Sequence, residues 1–151
     1  MQDGILSTVA LATSIAVAGS EKSIIIVAAT AAAIAGTISM STGSYLSSKA
    51  YLEALSVNSD VVNESLKDAL TMGMSFVVGA TIPIIPHIIL TTETATPIAI
   101  LVSLIGLFAL GFGTGKIVKL SPLRKGLEIT IIGGFAAFLA FLVGNFLPYI
   151  I

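Results

Sequence analysis

Apolar positions run through this chain in five long blocks separated by short clusters of charge. They neither alternate with the period of two of a half-buried strand nor return every third or fourth position as on a surface helix. The blocks are Ile5–Gly19, Ile24–Tyr45, Met72–Leu90, Pro97–Gly115 and Leu127–Ile151. All but the first have the length a bilayer crossing requires. The first falls short unless residues 1–4 also enter the membrane, which puts Asp3 inside the bilayer or at its edge. In hydrocarbon every backbone polar group must be satisfied internally, and blocks this long and unalternating predict helices rather than barrel strands. The expected fold is all-α: one integral membrane domain over residues 1–151, a bundle of five transmembrane helices with 46–71 as a short cytoplasmic helical connector.

Leu46–Thr71 is the one stretch with a water-exposed pattern. Tyr51, Leu52 and Leu55 carry the second helix about two or three turns past the membrane. Asn58-Ser59-Asp60 breaks it, and Ser59 or Asp60 caps a new helix with Glu64 in its first turn. Asp60, Glu64 and Asp68 then follow at i, i+4 and i+8 on one face, tempered by Lys67. The plain interpretation is a solvated face. The functional one is an acidic surface, Glu53 included, that gathers cations near a pore mouth.

Composition narrows the classes. The chain is 56% hydrophobic and 10% charged, whereas soluble domains carry about 25% charged residues, so an ordinary wetted surface is excluded. With no cysteine there is no disulfide and no thiolate site. Five spans place the N-terminus, the 46–71 segment and the Lys116–Gly126 loop on one side. That side carries Lys49, Lys67, Lys116, Lys119, Arg124 and Lys125 against Lys22 alone on the other, which predicts a cytoplasmic N-terminus and a C-terminus outside. A cleaved signal peptide is not expected, since the chain opens on Gln2 and Asp3 rather than on basic residues. No Ser/His/Asp or Cys/His set suggests an enzyme, and no basic, aromatic-rich surface suggests nucleic acid. Gly111-Phe112-Gly113-Thr114-Gly115-Lys116 lacks the spacing of a phosphate loop and reads, with Gly133, Gly134, Ala137 and Gly144, as helix-contact sequence.

The candidate chemistry is sparse. Asp3 and Met40 stand at matching distances from the Glu21–Lys22 turn, about 27 Å along antiparallel helices. Asp3, Ser7 and Ser14 share one face of the first helix, and Thr37, Ser41, Ser44 and Ser48 form a stripe on the second, beside Gly36, Met40 and Gly43. Close helix packing accounts for the small and hydroxyl residues. It does not account for Asp3, since an ionisable group at a membrane boundary needs water or a partner and no cation lies on the facing part of the second helix. A hydrated cation path would satisfy it; simple exposure of a terminal aspartate is the competing account. Met40 alone is ordinary core filler, but a carboxylate with a thioether favours a divalent transition metal over Mg²⁺ or Ca²⁺. Pro83 and Pro86 remove donors from the carbonyls of Gly79 and Ile82 and predict a hinge or kink. His87 is expected near the outer face as an interfacial or satisfied histidine, and Met72 and Met74 as packing residues.

Asp3-Gly4-Ile5, Ala35-Gly36-Thr37-Ile38-Ser39-Met40, Gly43-Ser44-Tyr45-Leu46, Ala69-Leu70-Thr71-Met72-Gly73 and Gly79-Ala80-Thr81-Ile82-Pro83-Ile84-Ile85-Pro86, followed by Gly115 and Gly133, resemble the vacuolar iron transporter family. The resemblance runs in order through nearly the whole chain. It implies five spans, a cytoplasmic N-terminus, a homodimer whose first helices line the path, and export of Fe²⁺ or Mn²⁺ from the cytosol in exchange for protons. Asp3 matches the family's first-helix aspartate and Met40 its second-helix methionine. Ala32 stands where many members have a glutamate, Ser44 where bacterial relatives often have one, and the glutamate-rich cytoplasmic domain is replaced by Leu46–Thr71. A minimal member, or a shortened piece of a longer one, is therefore expected, in a prokaryotic cell membrane or a vacuolar one, with the ion as cargo and no cofactor. The alternative is a non-transporting membrane scaffold or the membrane subunit of a larger assembly.

Overall fold

The computed structural model describes residues 1–55 and 60–146. It contains α1 (Gln2–Val17), α2 (Lys22–Ala54), α3 (Val61–Ile89), α4 (Thr92–Ile117) and α5 (Pro122–Phe146), with no strand among the described residues. Four of these helices are long and apolar enough to cross a membrane, and the protein is an integral, multi-pass membrane protein. α1 has 16 residues; at about 24 Å it is shorter than the roughly 30 Å hydrocarbon core.

The apolar blocks mark the centres of the helices and not their ends. α4 starts at Thr92 rather than Pro97, because Thr92-Glu93-Thr94 forms a polar first turn with its acid at the favourable end of the dipole. α5 starts at Pro122 rather than Leu127; proline suits a first helical position, where its missing N–H would have no partner. The expected extension of the last span over residues 147–151, and the break at Asn58-Ser59, lie outside the described residues. The 46–71 stretch is helical on both sides of residues 56–59: residues 46–54 complete α2 and residues 61–71 open α3, which continues into the third apolar block. Neither stretch contains a glycine or proline that would interrupt the membrane helix it extends. α3 also runs unbroken through Pro83 and Pro86, both buried, to Ile89.

α1 touches all four other helices, while α2 and α3 form a long antiparallel hairpin and α4 and α5 a second one. Small residues make these contacts close. Gly111 lies against Gly126 and the Lys125 carbonyl, Gly115 against Pro122, and Gly144 against the backbone of Ser14. This is the helix-contact role expected of those glycines. Buried Ala12, Ile25, Ala29 and Ile84 form one core cluster, and Ile5, Leu107 and Ile129 another. Large apolar side chains such as Ile34, Ile38, Met74 and Ile131 lie exposed, as suits a hydrocarbon solvent.

Candidate metal path

One residue of α3 positions the two helices of interest. Phe76 is buried; its carbonyl oxygen occupies the space a side chain at Gly4 would need, and its ring occupies that space at Gly36. The first turn of α1 and the middle of α2 therefore meet α3 at one level. The backbone of Met1 lies against Gly79, and Met1 shares a cavity of about 450 Å³ with Ser44, Asp68, Thr71, Met72 and Ser75. Asp3 lies between Met1 and Gly4 on this first turn of α1, and Met40 lies one turn along α2 from Gly36.

The two side chains differ in setting. Asp3 is exposed and belongs to no ion pair among the described residues. The hydroxyl of Ser7, also exposed, donates to the Asp3 backbone carbonyl at 2.7 Å and not to its carboxylate. Ser14 is half-buried on the same face. Met40 is half-buried on the side of α2 that continues Ile25, Ala29 and Gly36.

Three hydroxyls of the α2 stripe are already engaged, while Ser44 lines the cavity beside Met1 and Asp68. Thr37 donates to Ala33 at 2.7 Å, the Ser41 hydroxyl sits over Gly73, and Ser48 donates to the Asp68 carboxylate at 2.6 Å. Two apolar cavities of about 340 and 270 Å³ follow the same α2–α3 groove and share Thr37 and Val77. Met72 and Met74 lie at the surface rather than in the core: Met74 lines the larger of these cavities, and Met72 the one beside Met1 and Asp68. That last cavity, with its two thioethers and its carboxylate, was not visible in sequence. Its only signals were Asp68 and Met72 at i, i+4 on α3.

The outer acids are dispersed. Glu53 lies 3.9 Å from Lys49 in an exposed i, i+4 pair. Asp60 is the N-cap of α3, accepting from the backbone N–H of Asn63 at 3.4 Å and from its side chain, as capping chemistry predicts. Glu64 is exposed one turn on, and Asp68 is held by Ser48. No three His, Asp or Glu side chains converge as a metal cluster among the described residues.

Pro83 and Pro86 lie in the buried part of α3 beside His87, which is 1% exposed rather than interfacial. Its Nδ1 lies 3.0 Å from the Pro83 carbonyl, and its Nε2 is buried with no partner among the described residues.

The family model described as the VIT family matches residues 1–61 and 51–145. Over 78 residues the chain is 30% identical to a protein described as Vacuolar iron transporter 1 of Arabidopsis thaliana. That match spans 51% of this chain and 31% of the plant protein, so less than a third of that relative's length is represented.

Proposed function

The chain belongs to the VIT family, and we propose that it is a membrane transporter that moves Fe²⁺ or Mn²⁺ out of the cytosol in exchange for protons. The observation that supports this reading is the Asp3 carboxylate, exposed on the first turn of a helix that packs against every other helix, and the reading pairs it with the Met40 thioether of α2. A charge at that depth is stable when water or a counter-ion reaches it. A divalent ion supplies both. Asp3 acts as the charged ligand and, because one carboxylate cannot hold a proton and a metal together, as the exchange site. Met40 is the soft ligand that favours transition metals over Mg²⁺. A homodimer that apposes the Asp3–Ser7–Ser14 faces of two α1 helices would double both ligands and enclose the path. The basic end of the bundle faces the cytosol on charge grounds, with Glu53, Asp60, Glu64 and Asp68 as a weak recruiting surface at that mouth. The name of the plant relative supports iron as cargo.

Uptake of Fe²⁺ into proteoliposomes, with and without an imposed pH gradient, tests the reading. Transport that the gradient accelerates supports it; a protein that inserts and folds yet moves neither Fe²⁺ nor Mn²⁺ would favour the scaffold.

A further inference from the structure

Two helix ends in this protein close with the same hydrogen-bond pattern but with different residues at its left-handed position. At the end of α1, Gly19 donates to Ala16 at 3.1 Å and Ser20 to Ile15 at 3.3 Å, and Gly19 takes φ +84. At the end of α4, Lys119 donates to Lys116 at 3.3 Å and Leu120 to Gly115 at 2.9 Å, and Lys119 takes φ 57. This is the Schellman pattern, whose left-handed residue is usually glycine. Lysine accepts that backbone with strain, and of the described non-glycine residues only Lys119 has a positive φ. Strain held at a surface turn suggests that the side chain has a task there.

The surroundings indicate what the task is. Four of the chain's seven cationic side chains, Lys116, Lys119, Arg124 and Lys125, lie on this turn and the helix ends it joins. Lys125 is paired with Glu128 at 3.0 Å and Lys116 lies 5.0 Å over the ring of Phe112, while Lys119 and Arg124 are exposed. Leu120, Ser121, Arg124, Lys125 and Glu128 line an open cavity of about 360 Å³. On the same turn and helix ends the side chains of Ile117, Val118, Leu120 and Leu123 are exposed, Ile117 at 84%. Exposed cations interleaved with exposed aliphatic groups on one turn, at the end of two membrane helices, match a lipid whose headgroup is anionic and whose chains begin just below it.

From this geometry we infer that the α4–α5 turn holds the headgroup of an anionic phospholipid, with Lys119 and Arg124 on the phosphate and Ile117, Val118 and Leu123 against the upper acyl chains. The inference is independent of which ion the protein carries.

The test is made on the full chain in nanodiscs of phosphatidylcholine alone or mixed with phosphatidylglycerol. The readouts are the ratio of the two lipids retained in native mass spectrometry and the thermal unfolding midpoint. Lys119→Gly and Arg124→Gln are each expected to lower the phosphatidylglycerol preference about fivefold. Lys119→Gly is also expected to raise the midpoint in pure phosphatidylcholine, because the turn loses its strained residue. That combination separates loss of binding from loss of folding. An unchanged lipid ratio in both variants overturns the inference. So does an equal loss from Lys67→Gln elsewhere on the same end of the bundle, which would mean diffuse charge and not a site. If inorganic phosphate raises the midpoint in phosphatidylcholine discs as much as phosphatidylglycerol does, the ligand is a free anion and the lipid assignment fails.

Discussion

The ring of Phe76 stands where a side chain at Gly36 would have to go, and its carbonyl does the same at Gly4. One residue thereby fixes how closely α1 and α2 approach α3 at Gly4 and Gly36. Gly36→Ala sets a methyl group against a buried ring and is expected to cost about 1–3 kcal/mol, read from thermal unfolding in detergent. Phe76→Leu in the same chain should recover much of that loss, since it withdraws the ring. Gly4→Ala meets the Phe76 backbone instead, so Phe76→Leu should give it no relief. Equal rescue of both variants would show that the contacts are not those described.

Asp3 and Met40 carry the transport proposal. Asp3→Ala and Met40→Ala are each expected to abolish most Fe²⁺ flux in liposomes while leaving the unfolding midpoint close to that of the parent, because Asp3 is exposed and in no ion pair among the described residues and Met40 is half-buried. Ser7→Ala should keep flux within about fivefold, the equivalent of one neutral hydrogen bond, because its hydroxyl serves the Asp3 backbone rather than the carboxylate. Undiminished flux in both Asp3→Ala and Met40→Ala would remove the proposed path.

The outer acids should behave differently from one another. Asp60→Ala removes a helix cap and is expected to cost about 1 kcal/mol of stability. Glu53→Gln touches only an exposed ion pair and should leave stability unchanged. Neutralising Glu53, Glu64 and Asp68 together should raise the half-saturating Fe²⁺ concentration without lowering the maximal rate, if these groups gather cations and take no part in passage. A fall in maximal rate alone would contradict that division of roles.

Hydropathy made the five helices legible because burial in lipid requires long uninterrupted apolar runs. It could not place their ends, where Thr92-Glu93-Thr94 and Pro122 are polar or helix-breaking in composition yet helical in position. The meeting of Gly4 and Gly36 on Phe76 was not readable, because nothing in a helical pattern says which residue of a third helix two others share. The packing role of Thr37, Ser41 and Ser48 was readable as a stripe, but its partners Gly73 and Asp68 were not. Phe76 was invisible as a hub because a phenylalanine in an apolar helix carries no mark of its neighbours. Lys119 was hidden for the opposite reason: the usual signal of that turn is a glycine, and the chain has none there.

His87 was expected to be interfacial or satisfied; it is buried, with one ring nitrogen on the Pro83 carbonyl and the other without a partner among the described residues. A buried polar atom that makes no hydrogen bond contributes nothing to offset its lost hydration. Replacing the imidazole with an apolar group of similar volume should therefore cost little, and His87→Leu is expected to change stability by less than about 1.5 kcal/mol. His87→Ala leaves a void beside two buried prolines and should cost about 2–4 kcal/mol by analogy with other large-to-small core changes. Unfolding midpoints of the two variants decide between packing and polar roles. If His87→Leu is as damaging as His87→Ala, the Nε2 atom has a hydrogen-bonding partner in the membrane, and a wet outer segment of the path would be its most direct source.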